Sequence, residues 1–119
     1  MIYTLKYEDR DILGEFGEMV MPFDVIFVDL FNNNVEAFAI MRPCQCAKYP
    51  GEIGVTDVFI KHSREASKDF YEVCQERLRE YGYKFIILHN PYDDKTKAKE
   101  RWIKSHGFVE LSKEYIKEF

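Results

Sequence analysis

The sequence has few cysteines and no long apolar run. Three cysteines in 119 residues cannot all pair, and Cys44 and Cys46 lie one residue apart, which argues against a disulfide scaffold and fits a reducing compartment. No stretch approaches the length of a membrane span, and the N-terminus lacks the basic and apolar regions of a signal peptide. We therefore expect a cytoplasmic protein that makes no contact with a membrane.

The sequence also lacks the short motifs of several catalytic and metal-binding classes. It contains no Walker loop and no Ser/His/Asp nucleophile elbow. Structural zinc needs four ligands, usually in two closely spaced pairs, and Cys44-x-Cys46 has no second pair. Cys74 falls on the apolar stripe of a predicted helix, where a cysteine normally belongs to the core. We therefore predict no metal site.

The composition is that of one folded domain, which we expect to span residues 1–119. Apolar residues make up 46% of the chain and charged residues 32%, with ten Phe and eight Tyr to build a core. The net charge of −4 is uneven, because residues 1–60 carry −6 and residues 61–119 carry +2. An acidic first half argues against nucleic-acid binding. The basic residues gather at 61–68 and 95–104, a distribution that suits a small anionic ligand.

The first half of the chain predicts a strand, a helix and a hairpin. Residues 2–6 alternate as a strand does, and Asp9 is placed to cap a helix that Pro22 ends, although its two internal glycines each cost about 1 kcal/mol. Two apolar runs, 23–31 and 35–41, flank three asparagines that tolerate a left-handed turn. The proline- and glycine-containing segment 42–54 is predicted to be a loop. The predicted helix between Asp9 and Pro22 has its apolar positions at Ile12, Leu13, Phe16, Met19 and Val20.

The centre of the chain predicts a strand, a basic turn, a helix and a second strand. Residues 55–60 are rich in β-branched and aromatic residues, as a strand is, and Lys84–Leu88 is apolar on both faces, as an interior strand is. Ser63 is placed as the helix N-cap and Gly82 at its end. The stripe of the helix consists of Ala66, Phe70, Val73, Cys74, Leu78 and Tyr81.

This order predicts an anion site at the start of the helix. A strand, a helix and a strand of these lengths form a right-handed crossover with parallel strands. The N-terminus of a helix attracts anions, because unpaired N–H groups and the positive end of its dipole converge there. Lys61, Arg64 and Lys68 add positive charge at the same end. We therefore expect a ligand that carries phosphate at this turn.

The last third predicts a helix and at least one strand. A turn at residues 90–94 precedes a helix that runs to about His106, and Gly107 closes it before a strand at 108–111. The tail 115–119 fits either an edge strand or a helical turn. The element order β-α-β-β-β-α-β-α-β predicts the α+β class, with a mixed sheet, antiparallel strands first, a β-α-β crossover later and helices on both faces.

This order resembles the GNAT family, the Gcn5-related N-acetyltransferases. The resemblance is sharpest from Val58 to Leu88, where the family has a strand, a phosphate loop of pattern Arg/Gln-x-x-Gly-x-Gly/Ala, a helix and a strand. Residues 64–69 stand at the loop, with its arginine kept and with Ser67 and Asp69 in place of small residues. The run 103–108 is similar to the family's closing Tyr-x-x-x-Gly-Phe, with isoleucine in place of the tyrosine.

The resemblance implies that acetyl-CoA, or another acyl-CoA, is the cofactor and that a small-molecule or protein amine is the acceptor. The pyrophosphate would bind the backbone N–H groups around Ser63–Lys68, and the pantetheine arm would run beside the strand before the helix. The cofactor-binding candidates are therefore Val58, Phe59, Ile60, Ser63, Arg64, Ser67 and Lys68.

Three residues are candidates for the acid–base chemistry of transfer. Asp57 could serve as the general base, His89 ends the strand near the place where transfer would occur, and Tyr115 could replace the missing tyrosine acid. The plainer alternative for Asp57 is a surface carboxylate.

The departures from the motif keep a second function open. Without the two small loop residues the backbone approaches a phosphate less closely. A GNAT-like protein without catalysis, similar to the short members that phages encode, would act through contact with another protein. We expect the groove between the strands at Ile60 and Phe85 to decide: an open groove favours the enzyme, and a filled groove favours the binding protein.

Overall fold

The protein, represented by a computed structural model, is built on one seven-stranded mixed sheet. The structure describes residues 1–89, 101, 104–111 and 114–119. The strand order across the sheet is β1-β2-β3-β4-β5-β7-β6. The strands are β1 (Ile2–Leu5), β2 (Val25–Phe31), β3 (Asn34–Cys44), β4 (Gly54–His62), β5 (Phe85–His89), β6 (Val109–Leu111) and β7 (Glu114–Glu118). The α+β class with antiparallel strands followed by a crossover is therefore confirmed.

The hairpin between β2 and β3 forms at the asparagines, as predicted. Asn32 and Asn33 have φ angles of 51° and 64°, the left-handed values that a two-residue hairpin turn requires. Asparagine adopts these angles at less cost than most side chains. The turn sets the register in which Phe31 lies opposite Asn34.

The segment between β1 and β2 is a 3₁₀ helix, Tyr7–Met19, where we predicted an α-helix capped by Asp9. Lys6 is the N-cap residue and makes no side-chain cap. Gly14 interrupts the helix with φ 64° and ψ −137°, a conformation that glycine adopts without steric cost. Gly17 packs so closely on this segment that an added Cβ would lie 2.5 Å from the carbonyl oxygen of Arg10. The two glycines therefore decide the shape of the segment, against its apolar periodicity.

Strand β3 extends further than predicted, through Cys44, so the loop we placed at 42–54 is shorter. Pro43 lies in this strand opposite Val55 of β4. Proline has no backbone N–H and cannot donate a hydrogen bond to a second neighbouring strand. No such bond is needed at Pro43, because the pairing of β3 with β2 ends at Met41.

The crossover helix α1 is Phe70–Glu80, and the prediction that it begins at Ser63 is wrong. Residues 63–69 form a loop, and Asp69 stands at the N-cap without a side-chain cap. The end of the helix is as predicted, with Gly82 at φ 93°. The N–H of Gly82 donates to the carbonyl of Arg79 and that of Tyr83 to the carbonyl of Leu78, which is a Schellman motif.

The tail of the chain is a strand inside the sheet. We left 115–119 open between an edge strand and a helical turn, and β7 lies between β5 and β6, antiparallel to both. Arg101, Lys104 and Ser105 are helical. The turn predicted at 90–94 and most of the last predicted helix, including Ile103, lie outside the described residues.

The two faces of the sheet carry separate cores. On the α1 face, Phe70, Cys74 and Leu78 of the helix pack over the sheet with Phe27 and Phe108. On the opposite face, Leu13 and Phe16 of the 3₁₀ segment pack over β2 and β3. A third cluster, around Phe85, Ile87 and Ile116, is covered by residues of the loop between β3 and β4. The loop at 63–69, through Ala66, and α1 thus pack on the same face.

Candidate functional site

The parallel strands β4 and β5 separate soon after they meet. Their ladder includes Val55 opposite Ile86 and Thr56 opposite Ile87, and no later pair within the described part of either strand. The expectation that these two strands are parallel is confirmed. The two strands therefore enclose a wedge that opens toward residues 63–69.

A β-bulge in β4 accompanies this separation. Met41 lies opposite Asp57 and Ile40 opposite Phe59, so Val58 is the extra residue. A bulge bends its strand and turns consecutive side chains to one face. Val58 and Phe59 accordingly both pack on the 3₁₀ face, where the ring of Phe16 stacks on Phe59 at a centroid distance of 4.4 Å. Ile60 returns to the α1 face.

A small cavity lies on the α1 face of the wedge. Its volume is about 10 Å³, which is room for about one water molecule. Phe85, which we expected to border this groove, belongs to the cluster on the other face. The cavity is lined by Ala39, Met41, Ile60, Tyr71, Cys74, Gln75, Ile86, Leu88 and Phe108.

Several polar groups of the loop at 63–69 form hydrogen bonds within the protein. The Ser63 hydroxyl donates to Glu36 Oε2 at 2.6 Å and accepts from the Glu65 N–H at 3.3 Å, while the Ala66 N–H donates to the Ser63 carbonyl at 3.3 Å. Within the described part of the chain, the N–H groups of Lys68 and Asp69 donate to no acceptor. The N–H of Arg64 likewise has no acceptor there, so the loop retains three backbone donors for an outside anion.

The Ser67 N–H is taken by a carboxylate. Asp29 of β2 accepts it through Oδ2 at 2.6 Å, and its Oδ1 accepts from the Met1 amine nitrogen at 3.1 Å. The Asp29 side chain is 2% exposed. Burial alone raises the pKa of this carboxyl, but the hydrogen bonds from Ser67 and the Met1 charge outweigh it and hold the pKa below its ordinary value. Asp29 is therefore a buried anion bound by the loop at 63–69.

The basic side chains that we assigned to the ligand surround this loop in solvent. Lys61, Arg64 and Lys68 are exposed. His62 ends β4, and its ring stacks on Tyr71 at a centroid distance of 5.3 Å. Tyr71 borders the cavity, and burial raises the pKa of its hydroxyl to about 12. This tyrosine is therefore neutral across the physiological range.

The three candidates for acid–base chemistry lie in different surroundings. Asp57 is half-buried next to the bulge, and His89 is the last residue of β5, with its backbone opposite Glu114. Tyr115 of β7 lies opposite Leu88 and is 3% exposed in the core of the α1 face. The topology brings Asp57 to the point where the strands separate, whereas Tyr115 is enclosed by the core.

Sequence reasoning missed Asp29, Glu36 and Tyr71. A signal existed for Asp29, since it is the one charged residue in the run Val25–Phe31 and shares a strand face with Phe27. A carboxylate on an inward face needs a partner, and its partner is the Ser67 N–H. Tyr71 carries no such signal, because an aromatic on a helix is ordinarily a packing residue.

Two further searches cover the described residues only. No group of three or more His, Cys, Asp or Glu side chains there is arranged to hold a metal ion. No helix there is long and apolar enough to cross a membrane.

Comparison with solved structures identifies the fold. No family model matches the sequence, and no curated protein is similar to it. The ribosomal-protein-S18-alanine N-acetyltransferase from Escherichia coli is similar at a TM-score of 0.69 and 15% identity, over 98% of this chain and 88% of that one. An IAA acetyltransferase from Bacillus cereus is similar at 0.68 and 10% identity, over 100% and 99%.

A third similar structure carries a ligand. It is a GNAT family acetyltransferase from Elizabethkingia anophelis with acetyl-CoA bound, at a TM-score of 0.67 and 9% identity, over 100% of this chain and 97% of that one. This chain therefore has the GNAT fold, as its resemblance to that family implied. The likeness to short phage-encoded members stays a prediction.

Proposed function

We propose that the protein is a cytoplasmic acyl-CoA-dependent N-acyltransferase, which transfers an acetyl group from acetyl-CoA to an amine. The observation that supports this most is the wedge between β4 and β5. The ladder of β4 with β5 ends at Thr56 among the described residues, next to the bulge at Val58, so the edge of Val58–Ile60 that faces β5 carries no ladder pair. An amide-containing chain such as pantetheine can satisfy such an edge as an added strand does.

The loop after β4 would hold the other end of the cofactor. The N–H groups of Lys68 and Asp69 remain available for a pyrophosphate oxygen, and the exposed side chains of Arg64 and Lys68 supply positive charge beside them. Ser63 and Ser67 shape the loop through their contacts with Glu36 and Asp29.

The chemistry would be direct transfer. A base, for which Asp57 is the candidate with His89 as the alternative, takes a proton from the acceptor ammonium. The amine nitrogen then attacks the thioester carbonyl carbon while backbone N–H groups near Val58–Ile60 stabilise the oxyanion. The C–S bond breaks, the CoA thiolate leaves, and the attacking nitrogen gives up its second proton as the amide forms. The thiolate takes up a proton, for which Tyr115 is the candidate donor, and the proton released from the nitrogen restores the donor.

The cavity beside the wedge constrains how the cofactor enters. A space of about 10 Å³ is far smaller than a pantetheine arm, so the bordering side chains, Tyr71 and Phe108 among them, would have to move. We therefore expect binding of CoA to change the environment of Tyr71 and to disturb its stacking on His62.

The test is a calorimetric titration of the folded protein with acetyl-CoA. We expect saturable heat and a thermal shift, and weaker binding by about tenfold when Arg64 and Lys68 are both replaced by alanine, because each side chain supplies one charged contact. Lys48→Ala is the matched control, since Lys48 lies in the loop between β3 and β4 and should leave the affinity unchanged. Absence of heat and of a thermal shift at millimolar acetyl-CoA would rule out both binding and catalysis.

A second function is favoured by the small size of the cavity beside the wedge and by the Asp29 carboxylate that accepts the Ser67 N–H. A GNAT-fold protein that acts by contact with another protein needs neither an open wedge nor free loop donors. The two functions give opposite results in the same titration: the binding protein stays folded and gives no response to acetyl-CoA. Release of CoA thiol in the presence of an amine would exclude it.

A further inference from the structure

The buried carboxylate of Asp29 binds a backbone N–H group of the loop at 63–69, and an incoming anion would bind the N–H groups of the same loop. It lies on the α1 face of β2, two strands from β4, and reaches the loop through a 2.6 Å hydrogen bond to the Ser67 N–H. Its side chain is 2% exposed. Its other contact is the Met1 amine nitrogen. The loop is therefore already bound to a negative charge that belongs to the protein.

We propose that Asp29 determines the affinity of the loop for phosphate: its carboxylate is an internal anion that competes with the cofactor's pyrophosphate. Two effects act in the same direction. The Ser67 N–H points to Asp29, so it cannot also donate outward to a phosphate oxygen. The negative charge also repels a diphosphate on the neighbouring N–H groups, in a place where burial keeps solvent from screening it.

The surrounding residues agree with this assignment. Ser67 and Asp69 stand in the loop where a close backbone approach to phosphate favours glycine, and Asp69 adds a second negative charge at the N-cap of α1. Lys61, Arg64 and Lys68 are exposed and none of them pairs with Asp29. The inference rests on the proposed function only in its choice of ligand, since it concerns how strongly the loop binds a diphosphate.

The test is the substitution Asp29→Asn, measured by calorimetry with CoA and with inorganic pyrophosphate. Asparagine keeps an oxygen that accepts the Ser67 N–H, so the loop retains its shape while the charge is lost. We expect CoA to bind about tenfold more tightly than to the wild type, and most of this gain to persist in high salt, because salt screens a buried charge only weakly. An equal or weaker affinity in the variant would overturn the proposal.

Glu15→Gln is the matched control, because it removes one exposed carboxylate from the 3₁₀ segment on the other face of the sheet. An equal gain in that variant would show an effect of net charge alone and would also overturn the proposal. If Asp29→Asn fails to fold, as judged by circular dichroism, Asp29→Ser removes the same charge with a smaller side chain and takes its place.

The outcomes separate this inference from the proposed function. If the wild type binds CoA and Asp29→Asn binds no better, the inference fails and the acyltransferase proposal stands. If only Asp29→Asn binds CoA, the inference holds and the wild-type protein is not a CoA enzyme. If neither binds CoA or pyrophosphate, both are overturned.

Discussion

Replacing Gly54 with alanine is expected to destabilise the protein at the start of the wedge. Gly54 begins β4 opposite Cys44, and a Cβ built on it would lie 2.3 Å from Cδ2, 2.4 Å from Cε2 and 2.6 Å from Cγ of Phe85. Carbon atoms normally approach to about 3.5–4.0 Å, so the ring would have to retreat by roughly an ångström or more. Phe85 is fully buried and stacks on Tyr49 at a centroid distance of 5.4 Å, which leaves it no space for that movement.

The expected loss follows from overpacking. Forcing an extra methyl group into a packed core costs about 1–3 kcal/mol, and the lower backbone entropy of alanine in the unfolded state returns about 0.4–1 kcal/mol. We expect a net loss of about 1–2 kcal/mol in the free energy of unfolding, measured by urea denaturation. This corresponds to a melting temperature lower by roughly 5–10 °C.

A double-mutant cycle tests the reasoning. Phe85→Leu removes ring atoms from the contact, so Gly54→Ala should cost less in that background, with a coupling of about 1 kcal/mol. Gly82→Ala is the control: nothing lies within 4 Å of its added Cβ, but its φ of 93° strains any other residue, so its loss should not depend on Phe85. A cost below about 0.5 kcal/mol for Gly54→Ala, or no coupling to Phe85, would refute the contact as the cause.

Three further predictions concern buried polar groups. Arg42→Ala leaves the Asp24 carboxylate, which is 0% exposed, without the guanidinium that binds it at 2.9 Å. We expect the free energy of unfolding, measured by denaturation, to fall by about 3 kcal/mol, and a loss below about 1 kcal/mol would contradict this. The pKa of Asp29 is lower in the folded protein than in the unfolded chain, where it is near 3.8. The Asp29 carboxylate therefore stabilises the fold above that pH, and this contribution is lost as the pH falls through the folded pKa. The free energy of unfolding, measured from about pH 5 to 2, should decline less steeply for Asp29→Asn than for the wild type. Burial raises the pKa of the Cys74 thiol to about 12, so a thiol reagent at pH 8 should label Cys74 only after unfolding, and rapid labelling in the native protein would be the contrary result.

The errors in the sequence-based fold have two physical sources. The apolar spacing of residues 12–20 fits an α-helix, but Gly14 adopts a left-handed φ and the segment becomes 3₁₀. The apolar spacing indicates which side chains face the core, but it does not indicate where a glycine adopts a backbone conformation that interrupts a helix. Ser63 was assigned as an N-cap because a serine before an apolar stripe normally is one; here its hydroxyl bonds to Glu36, a residue of β3 that is distant in sequence.

The candidate site was only partly predictable for the same reason. The residues of the loop and of the bulged strand could be named from one contiguous stretch, because a β-α-β unit is local in sequence. The contacts of that loop come from elsewhere: Asp29 is 38 residues before Ser67. No local pattern indicates which of the ten acidic side chains in residues 1–60 would reach the loop. How far side chains fill the wedge depends likewise on Phe108 and Tyr71, which meet only in the folded chain.

The sequence by itself determined the class of fold, the asparagine hairpin, the Gly82 helix end and the parallel crossover, because each depends on local backbone preference and on periodic burial. Only the tertiary structure decided where α1 begins, that the tail lies inside the sheet, and that a carboxylate of β2 binds the loop at 63–69. These features depend on contacts between segments that are distant in sequence. The energy of such a contact depends on both segments together, so the local sequence of either segment does not predict it.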